Sequence, residues 1–336
     1  MAGGMAVGPR DDTGFFMASG SVEKVDSERE DAFLHEALMY AGSDDLLEQA
    51  SQFIEEGIEA GEPTFVVIDA ATIDMLGARV GSHPLLTFAD MAVVGTNPAR
   101  IIPVWQSFVD GHVHGQPLRG IGQPVWPGRT PQELVECERH ESLLNRAFAG
   151  SANMWLMCPY DVSSLDPDTI RTAERNHPLI ADSGSSRASS TFPGIFELSR
   201  PFDAPLSEAP AGARELGFDE SALSSVRSWI AADATALGLP HSRVEEFVLA
   251  VGEITTNSVR HGGGNGMARL WSHDGVVVCE VTDRGSIEDP MVGRRQPSPE
   301  HEGGFGVWIA NQLCDLVQIR SYSTGSVVRL HMRLDR

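Results

Sequence analysis

Glu253, Asn257 and His261 recur at every fourth residue, a spacing that stacks side chains along one stripe of an α-helix. With Val244 set at zero and about 100° per residue, the three fall at about 180°, 220° and 260°, whereas Val244, Phe247, Val248, Val251 and Thr255 gather between about 300° and 40°. The polar stripe therefore lies opposite an apolar one that would face a core. Mg²⁺ prefers oxygen ligands, keeps waters and takes phosphate oxygens, so the amide oxygen of Asn257 suffices as a protein ligand. Glu253, one turn earlier, would face the same metal shell. Asp283 ends the apolar run Val276 to Thr282 and precedes Arg284-Gly285. A carboxylate acceptor beside a close-approach glycine suits a purine amino group. Gly303-Gly304-Phe305-Gly306 then opens an apolar helix through Leu313, offering bare N–H groups and a positive helix end to phosphate. Taken singly, the stripe reads as a solvated helix face and the glycines as an ordinary turn. Taken in order, the three offer a purine amino group, phosphate and Mg²⁺ a place each. Lys24 is the only lysine in the chain, so a P-loop lysine is excluded.

The elements that would position these residues are a helix from Ser221 to Leu237, a second from Ser242 to about Arg260, and four strands. Met267 to Trp271 and Val276 to Val281 flank Asp274-Gly275, a two-residue hairpin signal. Leu316 to Ser321 and Val327 to Leu334 form a second pair, and Phe196 to Ser199 reads as a further strand. Upstream, helical and strand patterns alternate. Phe33 to Ala60 reads as helix, Thr64 to Asp69 and Met91 to Val94 as strands, and Pro98 to Val109 as helix. Arg119 to Val125 and Met154 to Cys158 read as strands, and Asp166 to Asn176 as helix. Pro131 to Phe148 reads as a helix capped by Thr130. Such alternation predicts an α/β domain with a mainly parallel sheet.

A Ser/Gly-rich run, Asp182 to Ser190, has the composition of a flexible linker. The expected organisation is a flexible arm over 1–30, an α/β domain over 31–181, a linker over 182–195 and a second domain over 196–336. A chain of 336 residues has room for two cores. Its 41% hydrophobic and 21% charged residues exclude wholesale disorder. The net charge of −22 argues against nucleic-acid binding, which needs a basic face. Neither a membrane span nor a signal peptide is legible, so the expected location is the cytoplasm. Cys137, Cys158, Cys279 and Cys314 are widely spaced and predict buried, reduced thiols.

The ordered set Glu253-x3-Asn257-x3-His261, Asp283-x-Gly285 and Gly304-x-Gly306 resembles the histidine-kinase-type ATPase fold, a two-layer α/β sandwich. Val307 to Asp315 and Val317 to Ser321 resemble anti-sigma regulators of the RsbW type. The resemblance implies that Asn257 holds Mg²⁺, Asp283 reads adenine, the glycines with Phe305 frame the phosphate lid, and Glu253 is the catalytic base. It implies a serine/threonine kinase whose partners are a sigma factor and a STAS-type antagonist protein, and it leaves room for a homodimer. Ser286, Ile287 and Glu288 stand where that family has a second glycine, so a module that binds ATP and protein without phosphotransfer is the alternative.

The first half resembles the MEDS sensory domain of DcmR-like regulators, and its pairing with such an ATPase resembles the RsbA type of anti-sigma regulator. The matching stretches are His35 to Tyr40, Arg129-Thr130-Pro131 with Glu138 to Asn145, Cys158-Pro159-Tyr160-Asp161 and His177-Pro178. A signal-responsive input module is implied. Tyr160 and Asp161, at the C-terminal end of a strand, stand where open α/β sheets place ligands, or simply cap the sheet edge. His112-x-His114 has metal-ligand character but lacks a third ligand at a recognisable spacing. His140-Glu141 suggests a phosphoacceptor histidine, and hence a sensor histidine kinase, but on a helix belonging to the β–α alternation.

Overall fold

The computed structural model describes residues 33–150, 153–182, 184–195, 204–297 and 304–335. The expected arm over 1–30, the strand at Phe196 to Ser199 and Gly303 lie outside these residues.

The first half builds β1 (Phe33–Tyr40), α1 (Ser43–Ala60), β2 (Thr64–Ile68), α2 (Ala70–Val80), β3 (Leu86–Asp90) and α3 (Met91–Val94). A 3-10 turn (Pro98–Arg100), α4 (Ile101–Asp110), β4 (Leu118–Gly122), α5 (Pro131–Phe148), β5 (Met154–Asp161), α6 (Pro167–Asn176), β6 (Leu179–Asp182) and β7 (Ser185–Ala188) follow. The strands form one sheet in the order β3-β2-β4-β5-β1-β6-β7, parallel except for β7. Both faces are covered, so β2 is buried along its whole length and reads as an unbroken apolar run. Helix α5 begins with a complete capping box, in which Thr130 and Glu133 satisfy each other's main-chain N–H groups.

Three expectations are corrected. Phe33 to Tyr40 is a strand rather than the start of a helix, because it lies between β5 and β6, where burial on both faces erases the alternation of an ordinary strand. Met91 to Val94 is a helical turn capped by Asp90, and the strand is the preceding Leu86–Asp90. Ser185–Ala188, read as linker, pairs antiparallel with β6 as an edge strand. Short polar side chains suit an exposed sheet edge as well as a flexible segment, so composition does not separate the two.

The second half builds β8 (Arg214–Asp219), a 3-10 turn (Glu220–Ala222), α7 (Leu223–Ala236), α8 (His241–His261), β9 (Asn265–His273), β10 (Val276–Asp283), α9 (Phe305–Leu313), β11 (Leu316–Tyr322) and β12 (Gly325–Arg333). The sheet runs β11-β12-β10-β9-β8 and is antiparallel throughout. Val226 and Ile230 of α7, Phe247 and Val251 of α8 and Ala310 of α9 share one core with Val277, Cys279, Val281 and Leu330. This is the expected two-layer sandwich, with α8 turning its predicted apolar stripe to the sheet. All four cysteines are free and buried.

Candidate functional site

Asp283 ends β10 beside the C-terminus of α8, and three donors hold its carboxylate. Ser258 Oγ donates to Oδ2 at 2.6 Å, while Gly285 N and Ser326 Oγ donate to Oδ1 at 2.8 and 2.7 Å. A carboxylate has about four lone-pair positions, so roughly one acceptor remains for a ligand donor. The approach is tight. A Cβ at Gly262 would lie 2.4 Å from Asp283 Cγ, and one at Gly285 would lie 2.9 Å from the His261 carbonyl oxygen. Of His261 it is this main-chain oxygen that lies against Gly285, while its side chain is exposed at the end of α8.

Glu253 and Asn257 are half-buried on the stripe facing away from the sheet core, and the start of α9 lies directly on them. A Cβ at Gly306 would stand 2.7 Å from Asn257 Nδ2 and 3.2 Å from Glu253 Oε2. Gly304 precedes the helix in the left-handed conformation (φ 84°), which a glycine adopts without steric cost. Phe305 projects partly into solvent. The glycine turn and the polar stripe, some fifty residues apart in sequence, therefore meet directly, with Glu253 and Asn257 against the first turn of α9. The N–H groups of that turn suit phosphate, and the amide oxygen of Asn257 suits a hard cation.

Residues 290–294, between Gly285 and α9, lean on the first domain. Met291 is buried in that domain's core. Asn311 of α9 donates to the Gly293 carbonyl (2.8 Å) and is itself met by Asn97, whose Nδ2 lies 3.0 Å from the Asn311 carbonyl oxygen. Arg100 donates to the carbonyls of Asn311 and Cys314, both at 2.8 Å, and so caps the C-terminal end of α9. The centre of the contact is Glu136 of α5, whose carboxylate meets Arg139 (3.0 Å), Arg320 (3.1 Å) and Arg294 (3.4 Å). Burial pushes the Glu136 carboxyl above its ordinary range, and Arg294 and Arg320 oppose that shift. Arg333 and Glu133 form a further ion pair across the same boundary.

In the first domain, Asp161 accepts from Ser163 N (3.0 Å), Ser163 Oγ (2.6 Å), Ser164 Oγ (2.7 Å) and Gly42 N (3.3 Å), so it caps the loop after β5. These hydrogen bonds outweigh its partial burial and lower its pKa. Tyr160 is buried, edge-on to His177. His112 bonds the Phe108 carbonyl (2.7 Å) and belongs to no metal-capable cluster among the described residues, and neither does His114. His140 is 1% exposed, and burial lowers its pKa to about 3. A phosphoacceptor must meet a nucleotide, so the histidine-kinase alternative is set aside.

Ser258, Gly262 and Ser326 were not singled out in the sequence. Ser258 follows Asn257 directly, and Ser326 stands opposite Asp283 in the β10–β12 register, so only the strand pairing could have signalled it.

The family model for the MEthanogen/methylotroph, DcmR Sensory domain (MEDS) matches residues 34–178, and that for the histidine kinase-like ATPase domain matches residues 218–332. Over 124 residues the chain is 30% identical to the serine-protein kinase RsbW of Halalkalibacterium halodurans, a match covering 33% of this chain and 75% of that protein. The crystal structure of the RsbU and RsbW domains of a Mycobacterium tuberculosis protein aligns over 38% of this chain and 34% of that one, at 23% identity and a TM-score of 0.29.

Proposed function

We propose, from the premise that this chain belongs to the RsbW serine-protein kinase family and carries a MEDS domain ahead of its ATPase domain, that it is a signal-responsive anti-sigma regulator transferring phosphate from ATP to a serine or threonine of an antagonist protein. The observation carrying the reading is the meeting of Gly306 with Glu253 and Asn257, beside the Asp283 cradle. In this reading Asp283 accepts from the adenine amino group and the N–H groups at the start of α9 receive phosphate. Asn257 would hold Mg²⁺, which when bound offsets phosphate charge. Glu253 is the base that takes the proton of the attacking hydroxyl. Phosphoryl transfer depends mainly on positioning and charge stabilisation, so residues fixed on α8 and α9 suit it.

The proposal extends to control. The segment that would close over the nucleotide is held by Met291 and Arg294 against the first domain, so a signal that moves α5 moves the lid. A sigma factor is the second proposed partner, bound in alternation with the antagonist. The domain boundary is proposed to fall between β7 and β8.

The test incubates the full chain with Mg·ATP and candidate STAS-type antagonists and locates phosphate by mass spectrometry. Phosphate on a serine or threonine of one antagonist supports the kinase. ATP binding without transfer to any of them favours the binding-only module.

A further inference from the structure

We propose that His35, Glu141, Cys158 and His177 form a buried binding site for a zinc-class divalent cation in the sensory domain. The four come from different elements: β1, α5, β5 and the residue after α6. None is more than 1% exposed, and one donor atom from each lies within 4.8 Å of every other. Glu141 Oε2 is 3.0 Å from His35 Nε2 and 3.2 Å from His177 Nε2, and Cys158 Sγ is 3.4 Å from His35 Nε2. Bonds of about 2.0–2.3 Å to a tetrahedral zinc place ligand atoms roughly 3.3–3.8 Å apart, so the side chains already stand near ligating distances.

The hydrogen bonds around the cluster fix where the imidazole protons lie. His177 Nδ1 lies 2.8 Å from the Ala173 carbonyl oxygen, which only accepts, so Nδ1 carries the proton. Asn145 uses its amino group on the carbonyls of Glu141 and Asn176, which turns its Oδ1 toward His35 Nδ1 at 3.1 Å and places the proton there too. In each neutral imidazole the lone pair is therefore on Nε2, and both Nε2 atoms point at a carboxylate. Two imidazole lone pairs, a carboxylate oxygen and a sulfur converge, and the proton among them is that of the Cys158 thiol, 3.4 Å from His35 Nε2. Glu141 Oε1 and His177 Nε2 are buried without a hydrogen-bond partner. Buried polar groups left so are rare, and a cation among the four side chains takes up the unused lone pair of His177 Nε2 while neutralising the Glu141 carboxylate.

The donor set selects the class of ion. Two imidazoles, one thiolate and one carboxylate suit zinc and its borderline neighbours rather than Mg²⁺ or Ca²⁺, which take oxygen. Charge closes as well. Cys158 gives up its proton on binding, so a divalent ion with one thiolate, one carboxylate and two neutral histidines leaves a site of zero net charge. That matters in a fully buried place. Ala173 O and Asn145 orient the two imidazoles as partners outside the ligand set commonly do. With four protein ligands the site is closed, which fits holding α5 in place rather than activating water. Glu141 lies on the same helix as Glu136, so the ion would fix the helix that carries the contact with the lid.

The experiment measures metal in the full chain produced in zinc-supplemented medium and, separately, in cobalt-supplemented medium. One equivalent of tightly held zinc, and a thiolate-to-cobalt charge-transfer band in the cobalt form, are expected. Cys158→Ser should abolish that band, and His177→Gln should lower metal content severalfold, while a His112→Ala/His114→Ala control retains full content. The cobalt band of the unaltered chain does not depend on any variant folding. Substoichiometric zinc together with no thiolate band, or a band that persists in Cys158→Ser, overturns the proposal.

Discussion

The Arg320 guanidinium on β11 lies 3.1 Å from the carboxylate of Glu136 on α5, and both side chains are 2% exposed. Arg294 and Arg139 converge on the same carboxylate, so one acidic group holds three basic ones where the sheet of the second domain meets a helix of the first. Removing the charge with Glu136→Gln would leave buried guanidiniums without their counter-ion, a change that typically costs about 3–5 kcal/mol. Thermal unfolding should fall accordingly. Hydrogen exchange at 290–294 should rise by an order of magnitude or more, and unchanged exchange there would separate Glu136 from control of the lid.

Asn257→Ala should make nucleotide binding insensitive to Mg²⁺, because water replaces only part of what the amide oxygen fixes. Calorimetric titrations with and without Mg²⁺ measure this. A variant that keeps the full Mg²⁺ enhancement would remove Asn257 from the metal shell.

Glu253→Gln preserves shape and removes basicity. A general base contributes about 10²- to 10⁴-fold, so single-turnover transfer to an antagonist should slow by that order while ATP affinity stays within a few-fold. Equal rates in the two proteins would exclude Glu253 as base.

Gly306→Ala places a methyl group 2.7 Å from Asn257 Nδ2. Overpacking of this kind costs about 1–3 kcal/mol, and here it acts where α9 meets α8. Nucleotide affinity should drop about tenfold or more with only a small fall in melting temperature. A titration of the variant beside its unfolding curve distinguishes this from general destabilisation.

Trypsin should cut slowly after Arg187. The residue lies in β7, paired with Ile180 of β6, and its side chain reaches Glu174 at 3.5 Å. Rapid cleavage there would restore the reading of this run as a hinge.

These expectations rest unequally on sequence. The second domain was legible because its signals are local: a hairpin turn at Asp274-Gly275, a helical stripe, and a glycine turn opening a helix. The apolar face of α8 followed from spacing, whereas the joining of the glycine turn to Asn257 was implied by the resemblance that the ordered motifs carry. The first domain was less legible because a sheet buried on both faces loses its alternation, which is why β1 read as helix. The His35, Glu141, Cys158 and His177 cluster was missed for a related reason. Each residue sits singly in its own stretch: the parallel pairing of β1 with β5, which sets Ala37 beside Cys158, brings His35 near that cysteine, and the packing of α5 and of the end of α6 adds Glu141 and His177. The contact between the domains left no trace in either half, since Glu136 and Arg320 each look like ordinary charges until their surroundings are known.

The central place of β1 also bears on how the molecule is made. Phe33 pairs with Met154 and Glu36 with Leu179, so β1 leaves the ribosome more than a hundred residues ahead of β5 and finds neither lateral neighbour until nearly the whole first domain has been synthesised. At about 5–20 residues per second, Ala37 and Leu38 wait several seconds with apolar edges uncovered. The antiparallel sheet that follows assembles largely from adjacent segments and has no comparable delay. Nascent chains stalled before Met154 should therefore depend on chaperones. The pocket into which Met291 inserts belongs to the slow domain, so the order of translation gives that domain a head start over the lid that must dock on it.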